Sequence, residues 1–310
     1  MFRMYDFCDS KGNPNSWLLD QEQTDQMVKR ALELGINFFD SANVYNEGTS
    51  EIYLGKSIKK YAKREDVFIA TKVRLNEGGL SKAAVLREIN KSLSRLQMDY
   101  IDLYIIHRWD YETPIEETME ALNELVESGK VRHLGASAMY SFQFLKAQEV
   151  ARKNGWHTFE TMQNHYNLIY REEEREMIKL LLEEGVVMTP YSPLAGGRLA
   201  RKWHAESLRS KNDEYAKFKY DFNRELDYPI VLRVEELANK YGVTMAQISM
   251  SWLLSRKGVA SPIVGVTKVK HLEDAVAATN VKLTDDDIAY LEELYMAHNV
   301  VGARETNNSR

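Results

Sequence analysis

Residues 36–45 read INFFDSANVY, residues 70–72 read ATK, and residues 103–110 read LYIIHRWD. Each is a short apolar run ending in polar residues capable of proton chemistry, and the runs recur about one strand-plus-helix unit apart. Asp40 and Tyr45 close the first run, Lys72 the second and His107 the third. In a parallel β/α barrel the C-terminal ends of all strands open on one face, so four residues distant in sequence converge there. The pattern predicts an acid/base site at the mouth of a barrel.

Working outward, amphipathic stretches alternate with β-branched or aromatic runs. DQEQTDQMVKRALELG (20–35) spaces Met27, Ala31 and Leu32 as a helix does and stops at Gly35. SEIYLGKSIKKYAKR (50–64), SKAAVLREINKSLSRLQ (81–97) and PIEETMEALNELVESGK (114–130) repeat the pattern before DVFIATKV, DLYIIH and HLGASA. Three more units follow, the last with helices over 230–257. Such a βα rhythm argues for a parallel sheet with right-handed crossovers, and runs such as LYII and VFIA suit burial on both faces. Seven strands are predicted, at 36–42, 67–73, 102–107, 133–138, 161–166, 186–192 and 261–266. A closed barrel needs eight. Only RMYDF is available for the first, and Asp6 sits badly in a buried strand. The polar stretch 198–229 reads as a long loop with helical fragments, of the kind that carries function.

The chain has 310 residues, 44% hydrophobic and 28% charged, which fits one barrel-sized globular domain spanning 1–310. A net charge of −5 with scattered Lys and Arg offers no nucleic-acid or anionic-membrane surface. The single cysteine, Cys8, rules out an intrachain disulfide and argues against a cysteine-based metal site. The histidines lack H-E-x-x-H spacing, and G-x-S-x-G, P-loop and G-x-G-x-x-G motifs are missing. The first residues lack the pattern of a secretory signal and no run is long enough to span a membrane, so a cytoplasmic protein is expected.

At D-x-A-x-x-Y (Asp40, Ala42, Tyr45), the TK pair ending at Lys72, IIHRWD, GASAMY (135–140), QNHYN (163–167), YSPLAGGRL (191–199) and PIVGVTKVKHLEDAV (262–276) the chain resembles the aldo-keto reductase superfamily. The resemblance runs from Asn15 to about Val301. It is strongest with a bacterial aryl-alcohol dehydrogenase or oxidoreductase-like branch, related to the potassium-channel β-subunits. It implies a TIM-type (β/α)8 barrel. RMYDFC stands where members have a turn like Gly-Cys-Met-x-Phe-Gly, so the N-terminal hairpin and first strand are expected to be missing or incomplete. Ala138 and Ala275 stand where many members have asparagine.

The reaction this implies is hydride transfer from a nicotinamide cofactor to an aldehyde or ketone, with a proton delivered to the nascent alkoxide. Tyr45 is the expected donor. A free phenol has a pKa near 10, and an ammonium beside it favours the phenolate. That is the expected work of Lys72, held by Asp40, while His107 steers the carbonyl oxygen. Singly, each of the four is more simply a packing residue or a surface charge. Their joint occurrence at separate strand ends favours the catalytic reading.

For the cofactor, the resemblance implies that Tyr191 stacks on the nicotinamide and that Ser137 and Gln163 bond its carboxamide. Ser192, Leu194, Gly196 and Arg198 would line the pyrophosphate. The eighth strand ends in Gly265, Thr267 and Lys268 and leads into a helix containing His271 and Asp274, where barrels bind phosphate at the N-terminus of a short helix. Thr267 and Lys268 suit a 2′-phosphate, favouring NADP over NAD. Two rival readings are a cofactor-binding regulatory subunit and an inactive truncated paralogue.

Overall fold

The structure, a computed structural model, describes residues 1–4, 18–205 and 213–297. Its centre is a seven-stranded parallel sheet in sequential order: β1 (Phe2–Arg3), β2 (Phe38–Asp40), β3 (Phe68–Val73), β4 (Ile101–Ile106), β5 (Val131–Ser137), β6 (Thr161–Gln163) and β7 (Val187–Met188). Helices α1 (Gln21–Glu33), α2 (Thr49–Tyr61), α3 (Lys82–Leu96), α4 (Ile115–Glu127), α5 (Ser141–Asn154) and α6 (Met177–Glu183) form the crossovers. Six of the seven predicted strands are β2 to β7.

The first strand, expected to be missing or incomplete, is only two residues long. Phe2 pairs with Phe39 and Arg3 with Asp40, and the Met4 N–H donates to the Asp40 carbonyl at 2.9 Å. The predicted strand at 261–266 is instead an extended segment that ties both sheet edges together. Val259 bridges Met188 of β7, and Val264 bridges Phe2 of β1. Two residues are too few to show a period of two, so β1 has no sequence signature; its bonds to neighbours on both sides hold it. Asp6, whose charge argued against this strand, lies outside the described residues, as do Cys8 and Val301.

The helices begin and stop for local reasons. Asp20 and Gln23 form a reciprocal capping box on α1, and Gly35 reverses the chain after it at φ +81°. Met27, Val28 and Ala31 of α1 pack on the outward residues Phe2 and Phe39 within one apolar cluster. Ala70, Leu103 and Ile105 form a separate cluster inside the barrel, with Phe38 and Phe68 against it. Strand alternation therefore sends Asp40 and Lys72 inward, one layer above these apolar side chains. Gly135 keeps this interior open, because a Cβ there would lie 2.5 Å from Thr161 Oγ1.

The stretch 198–229 carries more helix than expected. Glu214–Tyr220 is helical, and a helix over Arg224–Tyr241 starts ahead of the predicted 230 and passes through Pro229. These elements pack with Tyr166, Tyr170 and Trp252 in a second apolar cluster.

One close backbone approach and one enclosed carboxyl each bear on stability. At Gly55 in α2 an added Cβ would lie 2.2 Å from the Leu96 carbonyl oxygen, at the C-terminal end of α3. Helix propensity favours alanine by about 1 kcal/mol, but a backbone collision cannot be relieved by a rotamer. Gly55→Ala is expected to destabilise by about 1–3 kcal/mol, read as a lower urea midpoint at unchanged slope. Glu173 is the second case: burial first, then the neighbouring Glu172, pushes its carboxyl from 4.5 up to about 8, against a hydrogen bond from Asn164. Between those values the folded chain holds a proton that the unfolded chain releases, so stability falls as pH rises through the window. Glu173→Gln is expected to raise the melting temperature at pH 8 relative to the parent and to narrow that gain toward pH 4.5; an equal gain at both would refute the assignment.

Candidate active site

Lys72 and Asp40 have no exposed surface. Lys72 Nζ lies 2.7 Å from each carboxylate oxygen of Asp40 and 2.6 Å from the Ser41 carbonyl oxygen. These three oxygens take up the three ammonium donors. Gln163 Nε2 donates to Asp40 Oδ1 at 3.1 Å. The pair comes together because Asp40 ends β2 and Lys72 sits on the next strand, both on inward positions.

Tyr45, buried, opens the turn Tyr45–Gly48 after β2. Lys72 Nζ is 4.7 Å from its ring centroid, and the His107 ring meets it edge-on at 5.8 Å and 77°. His107 follows β4, its N–H bonded to the Val73 carbonyl at 2.8 Å. Its Nδ1 is enclosed and has no hydrogen-bond partner in the protein. Burial first, then Lys72, Arg108 and Arg3, holds this imidazole well below its ordinary value, so it is neutral at pH 7. A neutral imidazole donates one hydrogen bond and accepts one, which suits a carbonyl oxygen at the mouth. The four residues predicted to converge do converge.

The residues expected to hold a cofactor divide into groups. Ser137 and Gln163 are buried beside this centre, with the Ser137 hydroxyl donating to the Gln163 carbonyl at 2.7 Å. Ala138, next along, holds φ +49°, a left-handed conformation that asparagine adopts more readily than alanine. Tyr191 stacks on His165 at 5.1 Å and 8°, and Lys219 Nζ lies 4.5 Å from its centroid. Ser192, Leu194, Gly196 and Arg198 occupy a half-buried turn with left-handed residues at Ser192, Ala195 and Gly196. A Cβ at Gly196 would lie 2.9 Å from that of Ala216. Arg198 pairs with Asp221.

Gly265, Thr267, Lys268 and His271 lie at the start of helix Val269–Ala277, with Lys268 and His271 exposed and Asp274 half-buried. His271 is shifted below its ordinary value, by desolvation first and then by Lys268 and Lys270, with Asp274 opposing. Two ammonium groups and an imidazole around a helix N-terminus match the donor set that a phosphate monoester needs. Together with the glycine turn at 196, these residues fit a dinucleotide. Their chemistry does not require a metal, and among the described residues no cluster of three His, Cys, Asp or Glu side chains could hold one. None of the described helices is long and apolar enough to cross a membrane.

Sequence reading missed Arg3, His165, Lys219 and Tyr220. Arg3 was hidden by the unrecognised first strand. Lys219 and Tyr220 come from the helix over Glu214–Tyr220, in a stretch expected to be mainly loop; the Tyr220 hydroxyl meets His165 Nε2 at 2.6 Å. A separate cleft of about 640 Å3, lined by Phe68, Leu103, His133, Thr161 and Val187, opens near the starts of the strands, away from these residues.

A model of the Aldo/keto reductase family matches residues 11–296. The chain is 42% identical over 317 residues to versiconal hemiacetal acetate reductase of Aspergillus parasiticus, covering 93% of this chain and 92% of that one. It is 40% identical over 317 residues to an aldo-keto reductase of Fusarium vanettenii, covering 92% and 85%. Both of these relatives are fungal. Among solved structures, a thermostable aldo-keto reductase crystallised with the inhibitor epalrestat superposes with a TM-score of 0.71 at 30% identity, covering 88% of each chain. The barrel, the buried lysine–aspartate pair beside a tyrosine and a histidine, and these matches agree: the chain belongs to the aldo/keto reductase family of oxidoreductases.

Proposed function

We propose that this chain is a cytoplasmic NADPH-dependent reductase of aldehydes or ketones, with Tyr45 as proton donor. The observation that carries the reading is the packing of Tyr45 against the Lys72 ammonium and the neutral His107 at one end of the barrel. The nicotinamide, when bound, supplies the hydride. The His107 imidazole N–H would hold the carbonyl oxygen, and the Tyr45 O–H would pass its proton to that oxygen as charge develops there. Lys72 has its donors committed to Asp40 and Ser41, so it acts on the phenolate left behind through its field rather than through a hydrogen bond. Asp40 keeps that ammonium in place.

Cofactor binding falls to the groups already placed. Tyr191 would offer its ring to the nicotinamide once Lys219 withdraws from it, and Ser137 and Gln163 would bond the carboxamide. Arg198, with Ser192, Leu194 and Gly196, would hold the pyrophosphate. Lys268, Thr267 and His271, with Gly265 and Asp274 shaping the turn, would read the 2′-phosphate and so set the preference for NADP.

Tyr45→Phe is expected to lower kcat at least 100-fold in an assay of NADPH oxidation at 340 nm with aromatic and aliphatic aldehydes, while NADPH binding followed by protein fluorescence is retained. Binding without turnover in the parent would move the reading to a cofactor-binding regulatory protein. Lys268→Ala is expected to raise the KM for NADPH about tenfold and to leave that for NADH within twofold; equal losses for both would overturn the 2′-phosphate assignment.

A further inference from the structure

The β1 register places a residue in the site that the proton-transfer scheme above does not use. Arg3 pairs with Asp40 across the β1–β2 ladder, and Phe2 shares the outward face with Phe39, so the Arg3 side chain enters the barrel in the Asp40 layer. Its backbone N–H donates to the Val264 carbonyl at 2.9 Å, anchoring it between the sheet edges. Its guanidinium carbon lies 5.2 Å from the centroid of the Tyr45 ring. Tyr45 therefore meets two cations, Arg3 and Lys72.

The two are chemically different. A guanidinium is planar, remains protonated at any working pH and stacks on an aromatic face. Its charge favours the ring when the ring itself becomes negative, which happens when the phenol loses its proton. Among the described residues, the other charged or titratable groups near Tyr45 include the Asp40–Lys72 pair from β2 and β3, His107 after β4 with Arg108 next to it, and the buried amino terminus of Met1, which feels the Asp40 charge.

The geometry points to Arg3 as a positioning residue for proton transfer: its guanidinium holds the Tyr45 ring and stabilises the phenolate that remains when the phenolic proton passes to the substrate oxygen. The proton goes from Tyr45 Oη to the alkoxide, the negative charge moves to Oη, and Arg3 stays protonated throughout. This role rests on the reading of Tyr45 as the donor, and its test includes a measurement that needs no turnover.

The test uses Arg3→Gln, which keeps polarity and removes the charge, and Arg3→Lys, which keeps the charge, each made with and without Tyr45→Phe. The tyrosinate absorbance near 295 nm of each protein, less that of its Tyr45→Phe counterpart, follows ionisation of this one phenol without substrate. The midpoint is expected to be higher in Arg3→Gln than in the parent, because a cation beside the ring is lost, and to stay near the parent in Arg3→Lys. In the NADPH assay, Arg3→Gln is expected to lower kcat about tenfold with KM within twofold, and Arg3→Lys to recover most of the loss. An unchanged midpoint in Arg3→Gln overturns the inference, as does an equal shift in both variants. A parent without turnover counts against the reductase reading alone, because the titration still decides the role of Arg3.

Discussion

The barrel mouth is organised around an ion pair with no exposed surface. Placing one ionised group in such a position alone is very unfavourable, and even a pair is tolerated only when its remaining hydrogen-bonding capacity is met. Here it is met: the ammonium reaches both oxygens of Asp40 and the Ser41 carbonyl, and Asp40 takes a further bond from Gln163. Loss of either partner would strand the other charge, at a cost of roughly 3–5 kcal/mol. The same bonds lock the ends of β2, β3 and β6 to each other, so a chemical device also braces the fold.

That arrangement fixes what its neighbours can do. A lysine with every donor engaged cannot swing onto a substrate, and its charge reaches Tyr45 only across space. The imidazole beyond Tyr45 is kept neutral by burial and by the cations around it. In the proposed reaction, a tyrosine between a fixed ammonium and a neutral imidazole would release its proton toward one oxygen atom, the one that the imidazole would orient. The apolar layer of Ala70, Leu103 and Ile105 beneath keeps the pair from solvent on the other side.

The C-terminal third supplies a different kind of control. His165 leaves β6 and stacks between aromatic rings, 4.0 Å from Tyr170 and 5.1 Å from Tyr191. The helix Glu214–Tyr220 closes onto this stack through Tyr220 and Lys219. Arg198 and Asp221 tie the glycine turn to the same helix. Residues suited to a cofactor are thus engaged with one another, and the element that engages them lies in the stretch joining the seventh strand to the last helices.

Much of this was legible in the residues themselves. Continuous apolar strands, helix caps such as Asp20 with Gln23, and glycine stops such as Gly35 act over a few residues, so β2 to β7 and α1 to α6 could be placed from local pattern. The convergence of Asp40, Tyr45, Lys72 and His107 was legible because each closes an apolar run, and a parallel barrel gathers such ends on one face. Other features depend on contacts between segments far apart in the chain. The first strand is two residues long and exists because β2 and the 259–264 segment both pair with it; Arg3 reaches Tyr45 only through that register. The helical path of 214–241 and the placement of Lys219 on Tyr191 depend on packing against Tyr166, Tyr170 and Trp252. Local sequence determined which polar residues end the strands at the barrel mouth, because propensity and periodicity are short-range. Tertiary structure decided which charges meet, because register and packing are settled only when the sheet edges join.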